Sequence, residues 1–334
     1  MTDLAAVAAA LVAPGKGILA ADENGGVLSA RMQAAGIEPA AGMGRAYREM
    51  LITTPGLARG ISGVVLSPET AGQRLGDGTL FPQAIRQHGM RPGVRADSGT
   101  GLLAGCPGET VTGGLDGLAG RLGGYARAGA AFATWRAVLR IGPGLPSGTA
   151  LRANAQALAR FAATCADAGL VPVVAAGIAA DGPHSLSQCE TVTSLALLHV
   201  VLALEDDGIA LDSVVLTPAM VQPGRQSGQG AAPADVASAT MASLGSVPAA
   251  LAGVAFSGGG QQPQEATANL AALQSVLRVW PLTFCFGRAL DDAALTAWQG
   301  ARCRAGQQAL IRRVTLNTAA LEGRHTPEPE CEPV

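Results

Sequence analysis

Lys16 is the only lysine among the 23 lysines and arginines of this chain. A lysine amine loses its proton when buried and then adds to a ketone as a Schiff base, whereas a guanidinium stays protonated and is a poor nucleophile. Imine chemistry is therefore open to one side chain only. The four histidines, His88, His184, His199 and His325, show no close ligand spacing such as HxxxH. The six cysteines, Cys106, Cys165, Cys189, Cys285, Cys303 and Cys331, form no CxxC pair. These spacings point away from a metal centre or a redox pair, and no metal or cofactor is expected. Most of the thiols are expected to be reduced and buried.

Composition narrows the classes further. At 334 residues and 48% hydrophobic content the chain buries a large core and is long for one domain unless it is a barrel. A formal charge of -2 with 14% charged residues supplies no basic face for nucleic acid. The N-terminal apolar run carries Asp3 where a secretory signal has basic residues, and no apolar stretch is expected to reach the roughly 20 residues that span a bilayer. A soluble cytoplasmic protein without nucleic-acid or membrane partners is expected. Aromatics make up 3% of the chain and glycines number 45, so the core is built from Leu, Val and Ala in many small contacts. Nucleotide bias in the source genome explains an excess of arginine over lysine without invoking function.

Eight β-rich runs alternate with helical segments. They are GILAAD from Gly17, GVVLSPE from Gly63, GVRAD from Gly93, FATWRAVLRI from Phe132, LVPVVAAGI from Leu170, SVVLTPAM from Ser213, GVAFSGG from Gly253 and LTFCFGRAL from Leu282. Repeated βα units of this kind predict a single-domain α/β fold, a closed (β/α)8 TIM barrel over residues 1–325, with a short Pro- and Glu-rich tail over 326–334. Between the fourth and fifth runs, Leu151, Ala155, Leu158 and Phe161 fall on one helical face that stops at Gly169. PADVASATMASLG and PQEATANLAALQSVL each open on proline with an acid in the first turn, as helices do. The glycine-rich run AGCPGETVTGGLDGLAGRLGG is expected to wrap the surface before a short helix. His184 follows the fifth strand, and as a lone loop histidine it is expected to be solvated.

Chemistry in such a barrel sits at the carboxyl ends of the strands. The strings APGKGILAADENGG, FPQAI, GLDGL, FATWRAVLRIG, ANAQALARFA, PAMVQPG, FSGGGQ and LTFCFGRAL occur in order. Together they closely resemble class I fructose-bisphosphate aldolases, roughly from Leu11 to Pro327. The resemblance implies a lyase lineage that cleaves fructose 1,6-bisphosphate into two triose phosphates through a lysine Schiff base.

Matched residue by residue, the resemblance also implies what has changed. The family's Schiff-base lysine lies in a string like LLKPNMVTPG, and this chain reads VVLTPAMVQPG with Thr217 at that place. The family's FAKWR appears as FATWR with Thr134, and its Glu-Pro-Glu triplet as Ala175, Ala176 and Gly177. Asp22 retains the first-strand acid, followed by Glu23, but the hydroxyl residues that follow in the family are replaced by Asn24, Gly25, Gly26 and Val27. Arg95 stands for a family lysine near the distal phosphate. Arg31, Arg136 and Arg288 match arginines associated with substrate phosphates and offer bidentate donors. Gly258 stands for a family serine, and Gly259, Gly260 and Gly287 keep glycines whose N–H groups face a phosphate at a helix start. Each glycine taken alone reads equally well as a tight turn.

The expectation is a sugar-phosphate-binding barrel of the glycolytic lineage without aldolase activity. Lys16 lies just before the first strand, at the end away from the mouth. Two other readings stay open: cleavage by an imine-free route with Asp22 as base, and a non-catalytic subunit or scaffold. The family is commonly homotetrameric, and LDGL from Leu115 resembles a segment near its subunit contacts. A homo-oligomer, or a hetero-oligomer with an active aldolase, is therefore implied.

Overall fold

Alternating strands and helices can bury both faces of a parallel sheet only by closing it or covering it on each side. In the computed structural model, which describes residues 3–326, the sheet closes. The eight barrel strands are β1 Gly17–Ala21, β2 Ile61–Leu66, β3 Arg91–Arg95, β4 Phe132–Leu139, β5 Val171–Ile178, β6 Val215–Leu216, β7 Gly253–Ser257 and β8 Leu282–Phe286. Each pairs in parallel with its sequence neighbour, and β1 meets β8 through Ile18 opposite Cys285 and Leu19 opposite Phe286. The (β/α)8 barrel read from the sequence is the observed fold. Of the tail expected over 326–334, all but Thr326 lies outside the described residues.

Strand alternation sorts the side chains. Ile18, Val65, Phe132, Val171, Val173, Val215 and Ala255 pack as one buried cluster inside the barrel, closed from below by Ala8, Leu11 and Val12 at the end of the N-terminal helix Leu4–Leu11. A larger cluster packs the outer strand faces against the helices. There Trp135 of β4 meets Phe161 of the helix Gly148–Asp167 with ring centroids 5.5 Å apart. That helix buries Leu151, Ala155, Leu158 and Phe161 and is capped by Ser147, whose hydroxyl accepts from the Ala150 N–H. Gly169 beyond it takes φ +71, the left-handed stop the sequence signals.

β6 is only two residues long because Pro218 follows Thr217 and has no N–H for the ladder. Its neighbour continues the pairing instead, with Ser257 N–H donating to the Pro218 carbonyl at 2.9 Å.

Three expectations are corrected. The glycine-rich run after β3 does not simply wrap the surface: residues Thr100–Leu102 and Thr110–Thr112 form an antiparallel hairpin ahead of the helix Leu118–Arg127. With three residues per strand and one strand fully exposed, no apolar alternation signals it. The helix Leu186–Asp206 is long and apolar enough by length and composition to cross a membrane, contrary to the expectation that no stretch is. It buries Leu197, Val200, Val201, Ala203 and Leu204 in the outer core, while Leu195, Leu198 and Leu202 face outward. His184 is not solvated; only 3% of it is exposed.

Candidate functional site

The carboxyl ends of the strands converge on a mouth. Parallel register places Arg95 of β3 beside Thr134 of β4, and Arg136 beside Ala175 of β5, with Val138 opposite Gly177 one step further out. Thr217 follows β6 on the inward parity of Val215. Asp22 follows β1, and Arg95 Nη1 lies 3.4 Å from its Oδ2. Burial pushes the Asp22 carboxyl above its ordinary range, against the pull of Arg95 and Arg136, and Asp97 adds to the rise. Arg136 is exposed. The hairpin leans on its backbone, where the Thr112 hydroxyl donates to the Arg136 carbonyl at 2.7 Å.

Thr217 is 4% exposed, and its buried hydroxyl finds no hydrogen-bond partner. Its backbone N–H donates to Val174 at 2.7 Å, so the position itself is firmly held. Arg95 Nε and Asp97 Oδ2 are likewise buried without partners. An unpaired hydroxyl in such a place costs about 1–3 kcal/mol, which stability alone does not favour.

Arg31 behaves differently from the other expected phosphate arginines. It is paired with Glu23, and its Nη2 lies 2.7 Å from Asp291 and 2.5 Å from Asp292. Three of its five N–H donors meet three carboxylates, so its charge is matched within the cage and a phosphate would have to compete with those acids. Burial opposes the Arg31 charge, but Asp291 and Glu23 more than offset it. Within this cage burial pushes Asp291 up to about 6, with Arg31 pulling the other way. Glu23 also accepts from Arg288 Nε at 3.1 Å, but the Arg288 side chain remains 63% exposed and holds donors free for the mouth.

The glycine loop after β7 turns back on itself, with Gln261 N–H donating to Gly258 at 2.8 Å. Gly259 and Gly260 take φ +56 and +85, so the turn itself requires glycine there. A side-chain carbon on Gly258 would lie 4.0 Å from Ala289, in the first turn of the helix Arg288–Trp298, so the two loops adjoin. Gly287, the N-cap of that helix, has the Ala20 carbonyl 2.9 Å from where a Cβ would stand. Packing thus explains Gly287, while the free N–H groups of the first turn supply the positive end of a helix dipole beside Arg288.

Several mouth residues escaped the sequence reading. Asp97 acts on Asp22, and Asp22 in turn acts on Cys285, whose thiol is pushed up to about 12 by burial, with the Asp22 charge adding and Arg136 opposing. Inward parity shared with Gly287 was the available signal for Cys285. His184 lines a cavity of about 180 Å³ together with Ala176, Gly177, Ala219, Gly259 and Gln261, beside the positions where the resemblance implies lost carboxylates. Burial lowers its pKa, while a hydrogen bond to the Gln222 backbone works against the shift. Lys16 lies at the opposite end of the barrel, with its carbonyl accepting from the Thr283 hydroxyl.

Comparison with known proteins agrees with this geometry. A family model described as "Glycolytic: Fructose-bisphosphate aldolase class-I" matches residues 3–332. The chain is 43% identical over 327 residues to a probable fructose-bisphosphate aldolase class 1 of Xanthomonas campestris, covering 96% of this chain and 98% of that one. It is 43% identical over 326 residues to the cytosolic fructose-bisphosphate aldolase 4 of Arabidopsis thaliana, covering 96% and 83%. The fold superimposes with a TM-score of 0.94 at 37% identity on fructose-bisphosphate aldolase from Plasmodium falciparum, solved in complex with TRAP and a small molecule inhibitor, covering 97% of this chain and 95% of that one.

Proposed function

Because the chain belongs to the class I fructose-bisphosphate aldolase family, we propose that it binds a phosphorylated sugar at the barrel mouth without cleaving it through a lysine imine. The observation that carries this reading is Thr217, a buried hydroxyl where the family resemblance calls for the Schiff-base lysine. A threonine has no amine to condense with a ketone, and the chain's one lysine is at the other end of the barrel. Thr134, Ala175 and Gly177 remove the second amine and both relay carboxylates by the same comparison, so the proton transfers of aldol cleavage lack their carriers.

Binding has better support than chemistry. Arg95, Arg136 and Arg288 ring the mouth, and the Gly259–Gly260 loop adjoins the helix start at Gly287. These groups suit two phosphates held apart by a short carbon chain. Arg31 enters this reading as the residue that fixes Glu23, which in turn orients Arg288. The protein then acts as a sugar-phosphate sensor or as a subunit of an aldolase assembly, either with itself or with an active relative. The outward Leu195, Leu198 and Leu202, one helical face of solvent-facing leucine, favour such an assembly. A cytoplasmic location follows the cytosolic relatives.

One observation favours a second reading. Asp22 sits in the mouth with its carboxyl raised by burial, the condition of a general base or acid. An imine-free cleavage using Asp22 would give turnover that borohydride does not abolish.

Calorimetric titration with fructose 1,6-bisphosphate, run beside a coupled cleavage assay, tests both. Binding without cleavage, weakened at least about tenfold in Arg288→Ala, is the expected result. Cleavage by the unaltered chain would overturn it.

A further inference from the structure

The amino ends of β1, β2 and β3 collect a second set of basic groups, unrelated to the mouth. Register sets Gly17 opposite Ile61 and Gly63 opposite Arg91, so the residues leading into these strands share one rim. Lys16 precedes β1, Arg59 stands two residues ahead of β2 and His88 three ahead of β3. The rim is pinned: Gly17 N–H donates to the Gly60 carbonyl at 2.9 Å, and the Ser62 hydroxyl contacts the carbonyls of Leu11 and Gly17. Lys16, Arg59 and His88 line a hollow of about 340 Å³ whose floor includes the buried Leu57 and Met90.

Arg31, Arg45, Arg95, Arg140, Arg288 and Arg324 each have a carboxylate in ion-pair range. Among the described residues, none of the three basic side chains around this hollow has one. Basic groups gathered with no carboxylate in ion-pair range raise the local concentration of anions, and the Glu322 carboxylate that lies against Gly15 at this rim is engaged by Arg324. An ammonium, a guanidinium fork and an imidazole N–H together offer donors from three directions, which suits a tetrahedral oxyanion. The volume falls at the lower end of small-molecule sites, about 300–1,000 Å³, and exceeds what a bare phosphate fills. Leu57 and Met90 give an apolar floor for the rest of a ligand.

We propose that this hollow is a second anion site, at the barrel end opposite the mouth, that holds the phosphate group of a small phosphorylated molecule between Lys16, Arg59 and His88. The site stands independently of what the mouth does.

The single lysine makes the test selective. Pyridoxal 5′-phosphate carries both a phosphate and an aldehyde. The unprotonated Lys16 amine adds to the aldehyde carbon, water leaves, and the C=N bond forms; borohydride then delivers hydride to that carbon and the nitrogen takes a proton, leaving a stable secondary amine. Peptide mapping reads modification at Lys16 alone, so occupancy of the mouth cannot mimic it. The expected result is labelling of Lys16 at least about tenfold faster by pyridoxal 5′-phosphate than by 5-deoxypyridoxal, which lacks the phosphate and, having no 5′-hydroxyl to close a hemiacetal, keeps its aldehyde open. Arg59→Ala should slow it by a similar factor, with an unchanged thermal melt of the variant as the control for folding. Inorganic phosphate and glycerol phosphate are the two competitors. Protection by both means that the free ion suffices; protection by glycerol phosphate alone means that the site needs the attached carbon body; either supports the site. Equal rates for the two aldehydes, or no protection by either competitor, would overturn it.

Discussion

Asp22 and Arg95 face each other across the barrel mouth at 3.4 Å, yet the carboxyl is pushed upward because its burial outweighs the arginine's attraction. A carboxyl that resists ionisation leaves Arg95 and Arg136 with positive charge to spare. The mouth is therefore poised for an incoming anion more than for an internal ion pair.

Asp22→Asn removes the competing negative charge without changing shape. Fructose 1,6-bisphosphate should bind about threefold to tenfold more tightly to the variant, by calorimetry, wherever the native carboxyl is ionised, with the gain shrinking as pH falls and that carboxyl protonates. If the imine-free reading held, the same variant would instead lose turnover.

Arg31 and Arg288 share Glu23 but should separate cleanly. Arg31→Ala strands Asp291 and Glu23 and is expected to cost about 3–5 kcal/mol in a denaturant melt. Arg288→Ala, at an exposed side chain, should leave the melt within about 0.5 kcal/mol while weakening sugar-phosphate binding. Equal losses of stability in the two variants would contradict this division.

Thr217 offers a test of what its pocket tolerates. Thr217→Val deletes the unpartnered hydroxyl at nearly constant volume and should stabilise the fold by about 1 kcal/mol. Thr217→Lys buries an amine near Arg95 and Arg136 and should cost about 2–3 kcal/mol, without restoring cleavage while Ala175 and Gly177 remain. Rapid cleavage by the single Thr217→Lys variant would show that the proton carriers assumed missing are present.

Asp291 predicts a pH signature. Its carboxyl is raised from 3.8 to about 6, so its stabilising contribution is fully present below about 3.8 and is lost as pH rises through about 6. The native chain should lose about 3 kcal/mol across that window relative to Asp291→Asn, whose own profile lacks this step. Parallel melting curves at pH 4 and pH 7 would refute it.

The outward leucines give a prediction about assembly. Replacing Leu195, Leu198 and Leu202 together by Glu should reduce the native mass in light scattering to a smaller species, leaving the fold intact because all three face outward. An unchanged mass would exclude this helix as the contact.

How much was readable before the structure depended on whether each feature left a periodic mark. All eight strands did, since β-rich runs such as Val171–Ile178 declare themselves by a continuous apolar stretch and helices such as Gly148–Asp167 by a 3.6-residue stripe. The Thr100–Leu102 hairpin, short and exposed, left none. Thr217, Thr134, Ala175 and Gly177 are singled out only by their place in long strings that resemble the family's. The burial of His184 depends on Gln222 and Gly224 in a later loop, and the cage around Arg31 depends on Asp291 and Asp292, 260 and 261 residues away, with only Glu23, 8 residues away, local. Gly224, which packs against His184 across a loop, likewise gives no signal along the chain. Charge pairing over such distances is written in the fold and not in local sequence.

The seam between β1 and β8 rests on two register pairs and on the Lys16 carbonyl held by Thr283, 267 residues apart. Asp22 and Cys285 become neighbours only when that seam shuts. During synthesis the ribosome has released most of the polypeptide before the last strand arrives, so the mouth is the final thing the folding chain acquires. A polypeptide truncated before Leu282 would carry seven of the eight strands and a mouth without Cys285, Gly287 and Arg288. Long-range closure of this kind is slow and leaves two open sheet edges exposed meanwhile, which makes this protein a candidate for chaperone dependence at the very step that completes its mouth.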